Sequence, residues 1–270
     1  MSNRNNGDKT EAGKAEKKVS DIRFPPDPGY GSGVYRRRIR LTRKEQFVLA
    51  EMEDDPHAMK CKIAHDGDAV TAVEADFRHY PLTTCPGAIA PLRELVGLPV
   101  NISTADFFAG GRARANCTHM LDLAWLALRH VGRDQVERHY AIDIPDEQGG
   151  IIHAVLLQDG QPRLEWRLDK GVVTTPGPFE GRNPLNGFNR WAIGTLQEGD
   201  LETALVLQKG LFVSGARRFD PGPGPLDQAE QTGLAGICFG YGAERIATAR
   251  RCEKGRRDFT AHPERLLKFL

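Results

Sequence analysis

Two cysteines carry the first hint of chemistry in this 270-residue chain. Cys85 lies in Thr83-Thr84-Cys85-Pro86-Gly87-Ala88, and Cys117 in Asn116-Cys117-Thr118-His119-Met120-Leu121-Asp122. Pro86 favours a first helical position, and an apolar periodic run follows each cysteine, so each sulfur is expected at the start of a helix. A thiol facing the positive end of a helix dipole ionises more readily and becomes a candidate metal ligand or reactive thiolate. Acid/base groups stand close by. His79-Tyr80 precedes Cys85, and His119 and Asp122 are three residues apart on one side of the second helix. The candidate catalytic set is therefore His79, Tyr80, Cys85, Cys117, His119 and Asp122. The same residues support a second reading in which Cys85, Cys117 and His119, with His65 or Asp66, ligate zinc or iron. No Cys-x-x-Cys or His-Glu-x-x-His spacing accompanies them.

The elements that must position these groups follow from periodicity. Residues 1–20 are polar and nearly free of large apolar groups, which predicts a disordered tail. Tyr35 to Glu51 reads as two strands, and the Arg36-Arg37-Arg38 run within it as the solvated face of a strand. His57 to Ala64 alternates Met59, Cys61 and Ile63 against lysines, Asp66-Gly67 reads as a hairpin turn, and Ala69 to Phe77 returns. Helices are expected at Ala88 to Val96 and at Cys117 to Val131, closed by Gly97 and Gly132, with a flexible connector from Asp106 to Arg114. A second meander runs through His139 to Ile144, Ile151 to Leu157, Arg163 to Leu168 and Val172 to Thr175. Helices are then expected at Gly187 to Gly194, Leu201 to Val213 and Glu230 to Arg250. The order implies an α+β fold of antiparallel sheets packed with helices, either as two units (21–137 and 138–270) or fused into one domain.

Composition narrows the function. Net charge is +1 with acids and bases interspersed, which argues against a dedicated nucleic-acid surface. No apolar run approaches the roughly 20 residues of a membrane helix, and five irregularly spaced cysteines do not form a disulfide framework, so a soluble cytoplasmic protein with reduced thiols is expected. The Gly-x-Ser-x-Gly, Walker and Gly-x-Gly-x-x-Gly signatures are missing, so no organic cofactor is expected. Trp125, Trp166, Trp191 and Phe188 read as core aromatics that could also line a pocket for an aromatic molecule.

The segments Phe24-Pro25-Pro26-Asp27-Pro28-Gly29-Tyr30-Gly31-Ser32-Gly33, His65-Asp66-Gly67, Arg78 to Ala88 and Asn116 to Asp122 together resemble a bacterial domain-of-unknown-function family, numbered 2889. That resemblance carries a pathway context, the breakdown of aromatic or steroid-like compounds, and supplies no catalytic residues. Over residues 57–131 the order strand, turn, strand, cysteine at a helix start, later cysteine also looks like the U-type iron-sulfur-cluster scaffold fold. There Cys85 matches the middle scaffold cysteine and Cys117 the last, while the scaffold's first Cys-Gly-Asp motif has no counterpart and Asn116 replaces a histidine. These readings leave a cofactor-independent lyase acting on a small aromatic, for example a lignin-derived phenolic that loses formaldehyde, as the first expectation. A metal or iron-sulfur protein using Cys85 and Cys117 is the alternative, and a plain interaction module the third. Oligomeric state is left open.

Overall fold

In the computed structural model, residues 22–269 are described; the tail expected over residues 1–20 lies outside them. Alternation decides the strands. In β1 (Val34–Arg43), Tyr35, Arg37, Ile39 and Leu41 are buried while Arg36, Arg38 and Arg40 stand on the other face. β2 (Phe47–Glu53), β3 (Ala58–His65) and β4 (Val70–His79) follow as antiparallel neighbours. The β3–β4 turn forms as expected: Asp66 Oδ1 accepts from the amides of Asp68 (3.0 Å) and Ala69 (2.8 Å), and Gly67 takes φ +105°.

The second meander, β5 (Glu137–Pro145), β6 (Ile151–Gln158), β7 (Gln161–Asp169) and β8 (Val172–Val173), does not form a separate sheet. β5 pairs with the free edge of β1 from Val34↔Pro145 to Thr42↔Glu137, giving one eight-stranded antiparallel sheet in the order β4-β3-β2-β1-β5-β6-β7-β8. The sheet is thus continuous across the junction between the two halves.

Two long helices cover one face. Helix α1 (Thr118–Val131), with Cys117 at its N-cap and Gly132 at its C-cap, packs on β1, β2 and β3. Helix α2 (Phe188–Thr195) leads into α3 (Glu198–Ser214), which lies over β5, β6 and β7. Gly210 permits that approach, since a Cβ there would stand 3.0 Å from Ile142 on β5. The core fills the layer between sheet and helices, with Trp166, Tyr35, Tyr140, Phe107 and Leu41 among its fully buried side chains.

Two helical expectations need correction. Between Cys85 and Leu95 there is one α-turn (Ile89–Leu92) flanked by single 3-10 turns, because Pro86 and Pro91 each remove a backbone donor. The helix expected from Glu230 to Arg250 is only α4 (Gln228–Leu234), capped by a reciprocal Asp227–Glu230 box, with separate turns at Phe239–Tyr241 and Ile246–Thr248. Gly236 adopts φ +77° immediately after it, and Gly240 and Gly242 further weaken any helix there. The last segment doubles back: the Cys252 amide bonds Pro81 O (2.9 Å) and the Arg257 amide bonds Asp55 O (2.9 Å). Among the described residues no helix is long and apolar enough to cross a membrane.

Candidate functional site

The pairing Arg38↔Glu53 brings Arg37 beside the residue that follows β2, Asp54. Asp54 has no exposed surface and collects three side chains: the Tyr35 hydroxyl donates to Oδ2 (2.7 Å), Arg37 donates to it through Nε (2.8 Å) and Nη2 (2.6 Å), and His57 Nδ1 lies 3.0 Å from Oδ1. The His57 amide also donates to Oδ1 (2.8 Å). Burial opposes a charge on Asp54, yet Arg37 and His57 outweigh it and hold the carboxyl well below the ordinary range. Burial likewise raises the Tyr35 hydroxyl well above its usual value.

His57 stacks on His119 of α1, with ring centroids 4.1 Å apart and planes tilted by 36°. Burial, then the His57, Arg37 and Lys209 charges, pushes His119 well below the ordinary histidine value, so it is neutral at physiological pH. Its Nε2 has no hydrogen-bond partner among the described residues. One turn further along α1, Asp122 forms an ion pair with Lys209 of α3 (3.1 Å). Burial raises the Asp122 carboxyl even against Lys209 and Arg37.

Asp122, Lys209 and Arg37 meet at a cavity of about 310 Å³ between sheet, α1 and α3. Its remaining wall is largely apolar, with Phe108, Trp125, Leu121, Leu126 and Ile193 among the lining side chains. A small amphipathic molecule could place its ring among these side chains and a polar group against Arg37, Asp122 and Lys209.

The other candidates lie elsewhere. His79 ends β4, half-buried, and burial lowers it to about 4. Tyr80 makes an edge contact with Phe77 (6.4 Å) and packs with Leu82 and Cys85 in a satellite cluster beneath the C-terminal segment. Cys85 and Cys117 are close enough to influence one another, and Cys238 and Cys252 add to the field at Cys85. Their ionisation differs from the expectation at a helix start. Burial pushes Cys85 well above its usual value and Cys117 up to about 12, although backbone amides of Met120 and His119 favour the Cys117 thiolate. Cys85 opens only a single 3-10 turn, which carries little dipole. Among the described residues, no group of three His, Cys, Asp or Glu side chains is placed to hold a metal ion. Trp166 is core, in tilted contact with Phe179 and edge contact with Phe188 (both 5.4 Å), whereas Trp125 borders the cavity.

Arg37, Asp54, His57 and Lys209 are absent from the candidate set read from sequence. Arg37 shares the parity of Tyr35, Ile39 and Leu41, a signal that marked it as inward-facing despite its two basic neighbours. His57 shares the parity of Met59, Cys61 and Ile63. Nothing local marks Lys209, whose partner Asp122 comes from a distant segment, and of the partners of Asp54 only His57 is near in sequence, Tyr35 and Arg37 lying on β1.

No curated protein matches the chain. Residues 38–130, the stretch that supplies most of β1, then β2 to β4 and all but the last residue of α1, match the model of a family described as "Protein of unknown function (DUF2889)".

Proposed function

We propose that the protein is a lyase that needs no cofactor and uses acid/base chemistry to cleave a carbon-carbon bond in a small aromatic substrate. The observation that supports this most is the apolar cavity of about 310 Å³ into which one carboxylate with raised basicity, Asp122, and two cations, Arg37 and Lys209, are set. That volume suits a ligand of one or two rings. A phenolic compound in which the carbon bearing a hydroxymethyl group is bonded to a second carbon that carries an aryloxy substituent illustrates the reaction. Asp122 takes the hydroxyl proton, the carbon-carbon bond breaks to give formaldehyde, its electron pair forms a double bond, and the aryloxide leaves. Lys209 and Arg37 stabilise the departing oxyanion, which takes up one proton, so the reaction is a redox-neutral fragmentation. His119, one turn from Asp122, stacks on His57, which pairs with Asp54, so a buried polar cluster supports the start of α1 beside the cavity.

The test is to incubate the purified protein with hydroxymethyl-bearing phenolic dimers, with and without a chelator, and to trap formaldehyde. Formaldehyde and the alkene are expected in equal amounts, unaffected by chelation, with Asp122→Asn lowering kcat by at least about 100-fold. A variant as active as the wild type, or no formaldehyde from any such dimer, overturns the reading.

A further inference from the structure

A second cleft, of about 680 Å³, opens at the opposite end of α1 and shares no residue with the first. It lies between the β1–β2 turn, the end of β3, the last turn of α1 and the start of α3. Four cations border it, Arg43, Lys44, Arg129 and Arg133, against two carboxylates, Glu45 and Glu198. Glu198 is already paired with Arg129. Each of two other arginines spends one edge on the protein and leaves a nitrogen over. Arg43 donates through Nη2 to Asp134 O (3.2 Å) while its Nε has no partner, and Arg133 donates through Nη2 to Glu202 (2.6 Å) while its Nη1 has none.

His65 is the independent sign of a ligand. It borders the cleft, is only 9% exposed, and neither ring nitrogen has a hydrogen-bond partner among the described residues. Buried polar nitrogens without partners are costly, and three residues carrying them around one opening are unusual for a merely structural surface. Glu198 and Gly199 bring the first turn of α3, a 17-residue helix whose leading amides have no intrahelical acceptor, to the same cleft.

We infer that this cleft binds the oxyanion group of a small molecule, a phosphate or a carboxylate, received by His65, Arg43, Arg133, Lys44 and the amino end of α3. The unpartnered nitrogens of His65, Arg43 and Arg133 have almost no accessible surface, so these side chains turn toward the cleft as the oxyanion binds and supplies the acceptors they lack. The room beyond one such group implies that the ligand is an organic anion whose remainder extends into solvent.

Calorimetric titration of the full-length protein with inorganic phosphate and, separately, with benzoate, each against sodium chloride at equal ionic strength, tests the assignment. Saturable binding of either anion is expected; phosphate alone assigns a phosphate group, benzoate alone a carboxylate. Lys44→Ala and His65→Leu should each weaken it at least about fivefold, while Lys62→Ala, which removes a charge from β3 away from the cleft, leaves it unchanged. Lys44 is part of an exposed turn, so its variant remains decisive should His65→Leu fail to fold. Heats no different from chloride, or wild-type affinity in Lys44→Ala, overturn the inference.

Discussion

Asp54 receives hydrogen bonds from Tyr35 and Arg37 and pairs with His57, without contact with water. Asp54→Asn would leave the Arg37 guanidinium buried without a counter-charge, and breaking such a pair costs about 3–5 kcal/mol, to be read from urea unfolding. The histidines give a pH dependence of definite sign. His79 and His119 titrate lower in the folded protein than their ordinary value of 6.5, so between the two values the unfolded chain binds more protons. Stability is therefore complete above about pH 6.5 and falls as the pH drops, for His79 over the window down to about 4. Thermal melts from pH 7 to pH 4 should show a declining Tm, and His119→Gln should flatten the decline; an unchanged slope would mean that His119 is not held neutral. Of this site, His119 and Asp122 were legible because helix spacing is local. Arg37 was concealed by its basic neighbours, and Asp54 and Lys209 because burial and the pairings with Arg37 and with Asp122 arise between separate elements, the nearby His57 alone being no sign of a site.

Among the elements, α3 lies close to the sheet because position 210 has no side chain. Gly210→Ala improves helix propensity by about 1 kcal/mol but pushes a methyl group against Ile142 from 3.0 Å, and overpacking of this kind costs about 1–3 kcal/mol. A net loss of stability is expected, relieved in part by Ile142→Val; a Tm above the wild type would show that β5 can yield. The strands and α1 were readable because alternation, Asp-Gly turns and closing glycines are local signals that agree with one another. The stretch after Leu234 was misread because its apolar residues keep helical spacing, while Gly236 commits the backbone to a turn that spacing does not register. The single continuous sheet was not among the readings, which placed separate sheets in two units or in one domain, since which strand takes the free edge of β1 is settled by pairing across about 100 residues.

At the scale of the whole molecule, one arginine ties three distant segments. Arg217, just beyond α3, bonds Asp55 (2.7 Å) after β2 and Asp146 (2.8 Å) after β5, with Asp258 of the returning C-terminal segment at 3.7 Å. Arg217→Met leaves two buried carboxylates facing each other's neighbourhood without a cation, so a loss of about 3–5 kcal/mol is expected in urea unfolding. A loss below about 1 kcal/mol would show that the segments hold together without it. The central position of β1 has a consequence for synthesis on the ribosome. Its partner β2 emerges within a few residues, but β5 begins only at Glu137, so one edge of β1 waits unpaired while α1 and its connectors are translated. An open strand edge invites another chain to pair with it. Arg40 is matched early by Glu51 of β2, but Arg36 and Arg38 keep their charges and make the strand repel a second copy of itself, so the basic run guards the nascent chain until Asp143 of β5 arrives to pair with both.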